Sequence, residues 1–259
     1  MESNITDNIK TKRVLNTFIL KIIAIITMTI DHAAVIFALS YNDKTGKYFL
    51  NGTISMDTYM AMRYIGRIAF PIFCYLIVEG FFHTANVYKY CGRLLAFAII
   101  SQIPFTLMQY SVCFKPAGGL NTFFTLLLGL IVIICLDYCI EKYKSQSTNT
   151  FVLTLGFAIF ILIACIAELI KTDYGALGII FIVVFYVFRG RPVMISTAFG
   201  GILGIAYIVF SNKTEIVALF ALIPIFLHNG KKGPGLKYFF YLYYPLHILI
   251  LFFLKQYII

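Results

Sequence analysis

Nine long runs of apolar residues, separated by short polar segments, dominate the chain. A helix that crosses a bilayer needs about 20 mostly apolar residues, so each run is a candidate crossing. The runs cover residues 15–39, 60–82, 92–110, 121–141, 151–170, 174–188, 193–210, 215–228 and 237–257. The sixth and eighth runs are short, and a tilted or re-entrant segment at either would leave eight or ten crossings. The pattern predicts an all-α polytopic membrane helix bundle with about nine transmembrane helices (8–10).

The composition supports a membrane protein and excludes an ordinary soluble domain. Hydrophobic residues make up 61% and charged residues 12% of the 259 residues, and the mean hydropathy is +0.89. The formal net charge of +10 does not indicate nucleic-acid binding, because the basic residues are scattered between apolar runs instead of clustering on one soluble face. The six cysteines form neither a CxxC motif nor a Cys/His cluster with zinc spacing, so no metal site is predicted.

The basic residues predict the orientation, because Lys and Arg concentrate in cytoplasmic loops. With the N-terminus in the cytoplasm, twelve of the 21 Lys and Arg residues fall on the cytoplasmic side, six on the opposite side, and three within helices. Residues 1–14 are then a polar cytoplasmic tail, and residues 15–259 form a single transmembrane domain. No signal-peptide cleavage site follows the first apolar run, so the first helix is expected to be retained.

The first crossing carries three ionisable side chains, those of Lys21, Asp31 and His32. A charged group deep in hydrocarbon costs at least a few kcal/mol, so such groups normally face a protein interior or a wet cavity and mark a function. Lys21 and His32 are eleven residues apart. In a helix this spacing places them within roughly 20° of the same face and roughly 16 Å apart along the axis.

The second crossing contains Arg63, Arg67, Glu79 and His83. Arg63 can extend to the outer interface, and Glu79 can pair with a neighbouring cation, so a purely structural role is an equally good interpretation of both. Arg67 lies a turn deeper and is the stronger candidate for a function. Pro71 predicts a bend near the middle of this crossing, because its nitrogen carries no hydrogen for the helical hydrogen bond.

Later crossings contribute Asn121, at the start of the fourth, and His247, near the middle of the ninth. A glycine-rich turn with Lys231 and Lys232 precedes the ninth crossing. Exposed amides and cations both favour anions, so this turn can cradle phosphates, although a plain cytoplasmic loop is an equally good interpretation.

Several motifs occur in order from Lys21 nearly to the C-terminus: KIIAIITMTIDH, then RYIGRIAFPIFCYLIVEGFFHTANVYKYCGRLLAFAIISQIPF, NTFFTLLLGL, DYGALGI, NGKK and KYFFYLYYP followed by His247. Together they closely resemble the TraX family, named for an F-pilin acetylase. That family looks related to the wider transmembrane acyltransferases, the acyltransferase-3 and heparan acetyltransferase types. Lys21 and His32 match the Arg/Lys-x10-His spacing of the acyltransferase-3 group. The paired arginines of that group have no clear counterpart, because Arg63 and Arg67 differ in spacing and predicted depth.

The resemblance implies a bacterial inner-membrane enzyme that moves an acetyl or other acyl group from cytosolic acetyl-CoA to an amine or hydroxyl acceptor, such as a pilin N-terminus or an envelope glycan, peptide or lipid. His32 is the predicted general base or transiently acylated nucleophile, and His247 is its competitor for the base. Asp31 is expected to orient a neighbouring group, and Arg67 or Asn121 to stabilise the oxyanion. The residues predicted to bind the CoA phosphates are Lys21, Lys89, Arg93, Arg189, Arg191, Lys231 and Lys232.

Two other classes of function fit parts of the pattern. Buried Lys, Arg, Glu, Asp and His also serve proton relays, so a proton-coupled transporter is the main alternative. The polar motifs of the first half do not recur in the second, which weighs against a transporter built from inverted repeats. A non-catalytic membrane partner of a pilus or secretion assembly is the third class. Contact with membrane lipids follows from the apolar runs, and the sequence leaves open whether the protein forms oligomers.

Overall fold

A computed structural model describes residues 13–42, 47–51, 53–110, 118–145, 150–210 and 213–258. The first elements are helix α1 (Thr17–Ala38), the antiparallel hairpin of β1 (Leu39–Asn42) and β2 (Lys47–Leu50), α2 (Met56–Gly66), α3 (Ala69–His83) and α4 (Val87–Tyr110). They are followed by α5 (Thr122–Ser145), α6 (Thr150–Leu169), α7 (Gly175–Val187), α8 (Pro192–Phe210), a 3-10 helix (Lys213–Ala221), α9 (Leu222–Phe226) and α10 (Lys237–Ile258). The short hairpin was not predicted.

Every predicted apolar run is helical, but the described helices differ in length. Six are long and apolar enough to cross a membrane: Thr17–Ala38, Met56–His83, Val87–Tyr110, Thr122–Tyr143, Phe151–Leu169 and Tyr238–Tyr257. Three shorter apolar helices cover Gly175–Val187, Pro192–Ile205 and Glu215–Phe226. The all-α membrane class is therefore confirmed, while nine crossings and a cytoplasmic N-terminus stay predictions.

The second apolar run is broken one helical turn before Pro71. Helix α2 ends at Gly66 and α3 begins at Ala69. In a continuous helix the carbonyl of Arg67 would accept from residue 71, but a proline there has no N–H and its ring clashes with that carbonyl. The break thus falls at Arg67 and Ile68, one turn before the proline, and the backbone tightens there with an Ile68 N–H bond to the Ile65 carbonyl of 3.2 Å.

The chain divides into two compact units. The first unit comprises Met1–Phe73, Met108–Tyr110 and Pro192–Ile259, and the second comprises Cys74–Leu107 and Ser111–Arg191. The single functional domain predicted for residues 15–259 stays a prediction. So does the polar tail, of which residues 1–12 lie outside the described part of the chain.

In the first unit, α1 packs against α2 and α10. The start of α1 is tied to the segment that precedes α10, because the N–H of Leu15 donates to the Leu227 carbonyl at 3.0 Å and that of Thr17 to the Lys231 carbonyl at 2.8 Å. An edge-to-face contact of Phe18 with Phe240 continues this packing into the helices. These contacts fix α1 and α10 side by side, and this arrangement positions the site described below.

In the second unit, α5, α6 and α7 pack on one another around a core of Val132, Ala167 and Ile179, none of which is exposed. Gly129 allows a close approach of α5 to α7, since a Cβ at that position would overlap the side chain of Ile182. The centre of this packing therefore consists of small and branched apolar side chains.

Candidate active site

Two buried histidines meet where α1 packs against α10. Nδ1 of His32 lies 2.7 Å from Nε2 of His247, and the side chains are only 8% and 5% exposed. The ring planes differ by 9° and the centroids are 4.9 Å apart. The centroid separation is nearly the sum of the Nδ1–Nε2 distance and the two distances from each nitrogen to its own ring centroid. Both nitrogens therefore lie almost on the line that joins the centroids, and the rings are edge to edge in one plane. This is the direction of the nitrogen lone pair and gives a well-aligned hydrogen bond.

Tyr243 supports His247 and is itself bonded to Thr29 of α1. The tyrosine ring is nearly parallel to the imidazole, with centroids 5.0 Å apart, and its backbone carbonyl lies 2.7 Å from Nδ1 of His247. Its hydroxyl is 2.8 Å from Oγ1 of Thr29. Tyr244 approaches both imidazoles edge-on at 5.8 Å. Both ring nitrogens of His247 are therefore engaged, and its orientation is fixed.

An ion pair lies beside the histidines, between α1 and α2. Nη1 of Arg63 donates to Oδ2 of Asp31 at 2.6 Å, and the two side chains are 20% and 15% exposed. The charge of Arg63 also lies close enough to His32 for an electrostatic interaction. Arg63 was predicted to have either an interfacial or a functional role, and both stay predictions beside this ion pair.

The second oxygen of the Asp31 carboxylate faces the backbone of α2. Oδ1 is buried and accepts no hydrogen bond from any of the residues that the structure describes. A Cβ at Gly66 would overlap Oδ1, Cγ and Cβ of Asp31. Glycine at this position is therefore required for α2 to approach α1 closely enough to form the ion pair.

Arg67 pairs with a residue that the sequence did not single out. Its Nη1 lies 3.2 Å from Oε1 of Glu215, with the side chains 14% and 15% exposed. Glu215 belongs to the 3-10 helix, which packs against α2. An acidic residue at the start of the eighth apolar run was the available signal. The oxyanion role of Arg67 stays a prediction, and part of its charge is compensated by Glu215.

Lys21 and His32 share one face of α1, as their helical spacing predicted, and that face packs against α10. Nζ of Lys21 lies 5.0 Å from the centroid of the Phe240 ring, and His32 contacts His247. Phe240 and His247 are two helical turns apart on α10, so α1 and α10 run in the same direction along this face. The cation and the imidazole thus lie along one helix–helix seam.

The segment with Lys231 and Lys232 lies at the start of that seam. Both lysines are exposed, and the segment is held to α1 by a hydrogen bond of 3.1 Å between Nε2 of His228 and Oγ1 of Thr17. A Cβ at Gly233, which has a φ of +68°, would meet Oδ1 of Asn16 at 2.8 Å. The glycine permits both the left-handed backbone and the close approach of this segment to the helix.

Asn121 belongs to the second unit and is fully buried. Its Nδ2 donates to the Ala98 carbonyl at 2.7 Å and to Oε1 of Gln102 at 2.9 Å, and its Oδ1 accepts from the Phe123 N–H at 3.0 Å. The amide joins α4 to the start of α5. This favours a structural role, and the predicted oxyanion role stays a prediction.

The remaining predicted phosphate ligands, Lys89, Arg93, Arg189 and Arg191, also belong to the second unit. Nε of Arg189 donates to Oε1 of buried Glu79 at 2.9 Å, and its guanidinium lies 4.2 Å from the centroid of the Phe82 ring. The guanidinium of Arg93 lies 5.6 Å from the centroid of the Tyr90 ring. Lys89 and Arg191 are exposed. Among the described residues, no group of three His, Cys, Asp or Glu side chains could hold a metal ion.

Comparisons with known proteins agree with the motifs. The family model described as TraX protein matches residues 17–255. The chain is 32% identical over 260 residues to the probable fimbrial assembly protein FimC, serogroup H1, of Dichelobacter nodosus, and the match covers 91% of this chain and 94% of that protein. No solved structure matches the chain. Both matches extend over nearly the whole segment that carries the motifs.

Proposed function

We propose that this chain, which belongs to the TraX family, transfers an acyl group from acetyl-CoA or another acyl-CoA to an amine or hydroxyl acceptor at or beyond the membrane. The observation that carries the proposal is the buried hydrogen bond of 2.7 Å between His32 and His247. General acid–base catalysis needs an imidazole held in a defined orientation, away from bulk water, with one nitrogen left for the substrate. Among the described residues, Nδ1 makes the only hydrogen bond of the His32 ring.

The donor is bound by its phosphates on the side where α1 begins. CoA is anionic and cytosolic, so this binding mode goes with a cytoplasmic N-terminus in the bacterial inner membrane. Lys21, Lys231 and Lys232 lie at the start of the α1–α10 seam and supply the cations of the first unit. From Lys21 to His32 the helix rises roughly 16 Å, a distance that the extended pantetheine arm of CoA can cover. The thioester then lies at His32.

In the reaction, Nε2 of His32 removes a proton from the acceptor as its nitrogen or oxygen attacks the thioester carbonyl. Negative charge develops on the carbonyl oxygen, and in this proposal Arg63 stabilises it with the donors other than the Nη1 that Asp31 engages. When the carbon–sulfur bond breaks, the proton on His32 passes to the sulfur. The products are the acylated acceptor and free CoA thiol.

The acceptor is proposed from the relatives alone. The similar protein of Dichelobacter nodosus is named as a probable fimbrial assembly protein, and the TraX family is named for a pilin acetylase. A pilin N-terminus is therefore the first acceptor to test. An envelope glycan, lipid or peptide with a free amine or hydroxyl fits the same chemistry.

The test uses purified protein in proteoliposomes, acetyl-CoA labelled in the acetyl group, and envelope material from cells that lack the protein. We expect label to enter the envelope fraction, with one CoA thiol released for each acetyl group transferred. A proton-coupled transporter would instead take up solute in response to a pH gradient and leave acetyl-CoA intact. That result would overturn acyl transfer, and absence of both activities would leave the non-catalytic assembly role.

A further inference from the structure

The hydrogen bonds of His247 determine which nitrogens of the histidine pair carry hydrogen. Nδ1 of His247 lies 2.7 Å from the backbone carbonyl of Tyr243. A carbonyl oxygen only accepts, so this nitrogen must carry a hydrogen. In a neutral imidazole the other nitrogen, Nε2, then has a lone pair and can only accept.

The same reasoning extends across the pair to His32. Nε2 of His247 accepts, so its partner at 2.7 Å, Nδ1 of His32, is the donor. A neutral His32 with hydrogen on Nδ1 has its lone pair on Nε2. The two hydrogen bonds, from His32 to His247 and from His247 to the Tyr243 carbonyl, thus leave Nε2 of His32 as the basic nitrogen.

We infer that His247 is a positioning residue that holds His32 in the tautomer with Nε2 as the base and stabilises the imidazolium formed during transfer. The inference rests on the proposed acyl transfer, in which His32 takes the proton of the acceptor. His247 then accepts a stronger, charge-assisted hydrogen bond from Nδ1 of His32. The proton taken up on Nε2 of His32 leaves with the sulfur of CoA, so His247 ends the cycle unchanged.

A neutral imidazole suits this position better than a carboxylate would. Burying an ionised carboxylate in an apolar interior is costly unless it is paired and hydrogen-bonded. The nearby carboxylate, Asp31, already has such a partner in Arg63. His247 orients the base without bringing a second negative charge into the helix bundle, and Tyr243 and Tyr244 pack against its ring.

Two substitutions of His247 distinguish the effect of its hydrogen-bond acceptor from the effect of its size. In His247→Gln the side-chain oxygen can occupy the position of Nε2 and accept from His32, whereas His247→Met fills similar space without an acceptor of comparable strength. Removal of general-base function costs roughly 10²–10⁴-fold. We expect His247→Met to lower kcat within that range, with KM for acetyl-CoA changed by less than about threefold, and His247→Gln to recover at least about tenfold of the loss.

His83→Gln is the matched control, because Nδ1 of His83 likewise lies 2.8 Å from the backbone carbonyl four residues earlier, that of Glu79, but His83 belongs to the second unit and has no part in the proposed reaction. It should retain its kcat. Equal kcat for wild type and His247→Met would overturn the inference, as would equal losses in the Met and Gln variants, each with the folded protein verified by size-exclusion chromatography.

Nitrogen-15 NMR of labelled histidine gives a readout that needs no activity. In wild-type protein we expect a His32 signal with hydrogen on Nδ1, identified by its absence from His32→Gln, and the His247→Met variant should lose this tautomer preference. A His32 with hydrogen on Nε2 in the wild type would refute the inference even if acyl transfer is found. If no acyl transfer is found, the proposed function fails, and the NMR signal still decides whether His247 fixes the tautomer.

Discussion

Replacing Gly66 by alanine should separate α2 from α1 at the candidate site. The new methyl group would overlap Oδ1, Cγ and Cβ of Asp31. Rotation of the Asp31 side chain cannot remove the overlap, because Cβ is attached directly to the backbone of α1. The helices must move apart, and the 2.6 Å contact between Asp31 and Arg63 is then weakened or lost.

The expected cost has two parts. Forcing an extra methyl into a packed interface costs about 1–3 kcal/mol. Breaking a buried ion pair costs about 3–5 kcal/mol, and the lower end applies here because the Arg63 and Asp31 side chains are 20% and 15% exposed. A combined loss of about 4 kcal/mol, at about 2–4 °C per kcal/mol for a chain of this size, lowers the melting temperature by roughly 10 °C.

Gly201→Ala is the matched control. Gly201 lies within α8 and a Cβ there would meet no atom within 4 Å, so alanine should stabilise the helix by up to about 1 kcal/mol. The assay is the apparent melting temperature of both variants in one detergent, followed by fluorescence-detected size-exclusion chromatography. If Gly66→Ala melts at the wild-type temperature, the close packing of Gly66 on Asp31 is wrong.

Three further predictions concern individual polar contacts. Asp31→Asn should destabilise the protein by about 3 kcal/mol, and adding Arg63→Gln should restore part of that loss in a double-mutant cycle; additive losses would show that the two side chains are not coupled. Lys21→Gln should raise KM for acetyl-CoA at least about tenfold at constant kcat in initial-rate measurements, since one charge-assisted phosphate contact provides about 1.5–3 kcal/mol; an unchanged KM would remove Lys21 from the donor site. Asn121→Ala should lower stability by about 1–3 kcal/mol in the same melting assay because buried acceptors lose their donors, while the kcat of the folded fraction stays unchanged; a kcat loss above about 100-fold would restore the oxyanion role.

Local patterns predicted the helices well. Each apolar run is helical, although the second and the eighth are each divided into two helices, because a helix satisfies its backbone hydrogen bonds internally. The face shared by Lys21 and His32 followed from helical periodicity alone, and contacts with Phe240 and His247 agree with it. Pro71 predicted a distortion, but the break lies one turn earlier, because a proline disrupts the carbonyl of the preceding turn.

The pairings between distant helices were beyond prediction from the sequence. His32 and His247 are 215 positions apart, and from the sequence alone they were competitors for one role. Their hydrogen bond depends on the packing of α1 on α10, which no local pattern encodes. The pairing of Arg67 with Glu215 is similar, since it depends on where the short 3-10 helix packs.

The most direct test of the central claim is acetyl transfer by the His32→Gln variant. Label transfer and CoA thiol release are measured in one reaction on wild type, His32→Gln and the His83→Gln control, at equal amounts of folded protein. The His32 variant should lose both signals by roughly 10²–10⁴-fold, while the control retains them. Wild-type rates in His32→Gln would contradict the assignment of His32 as the base.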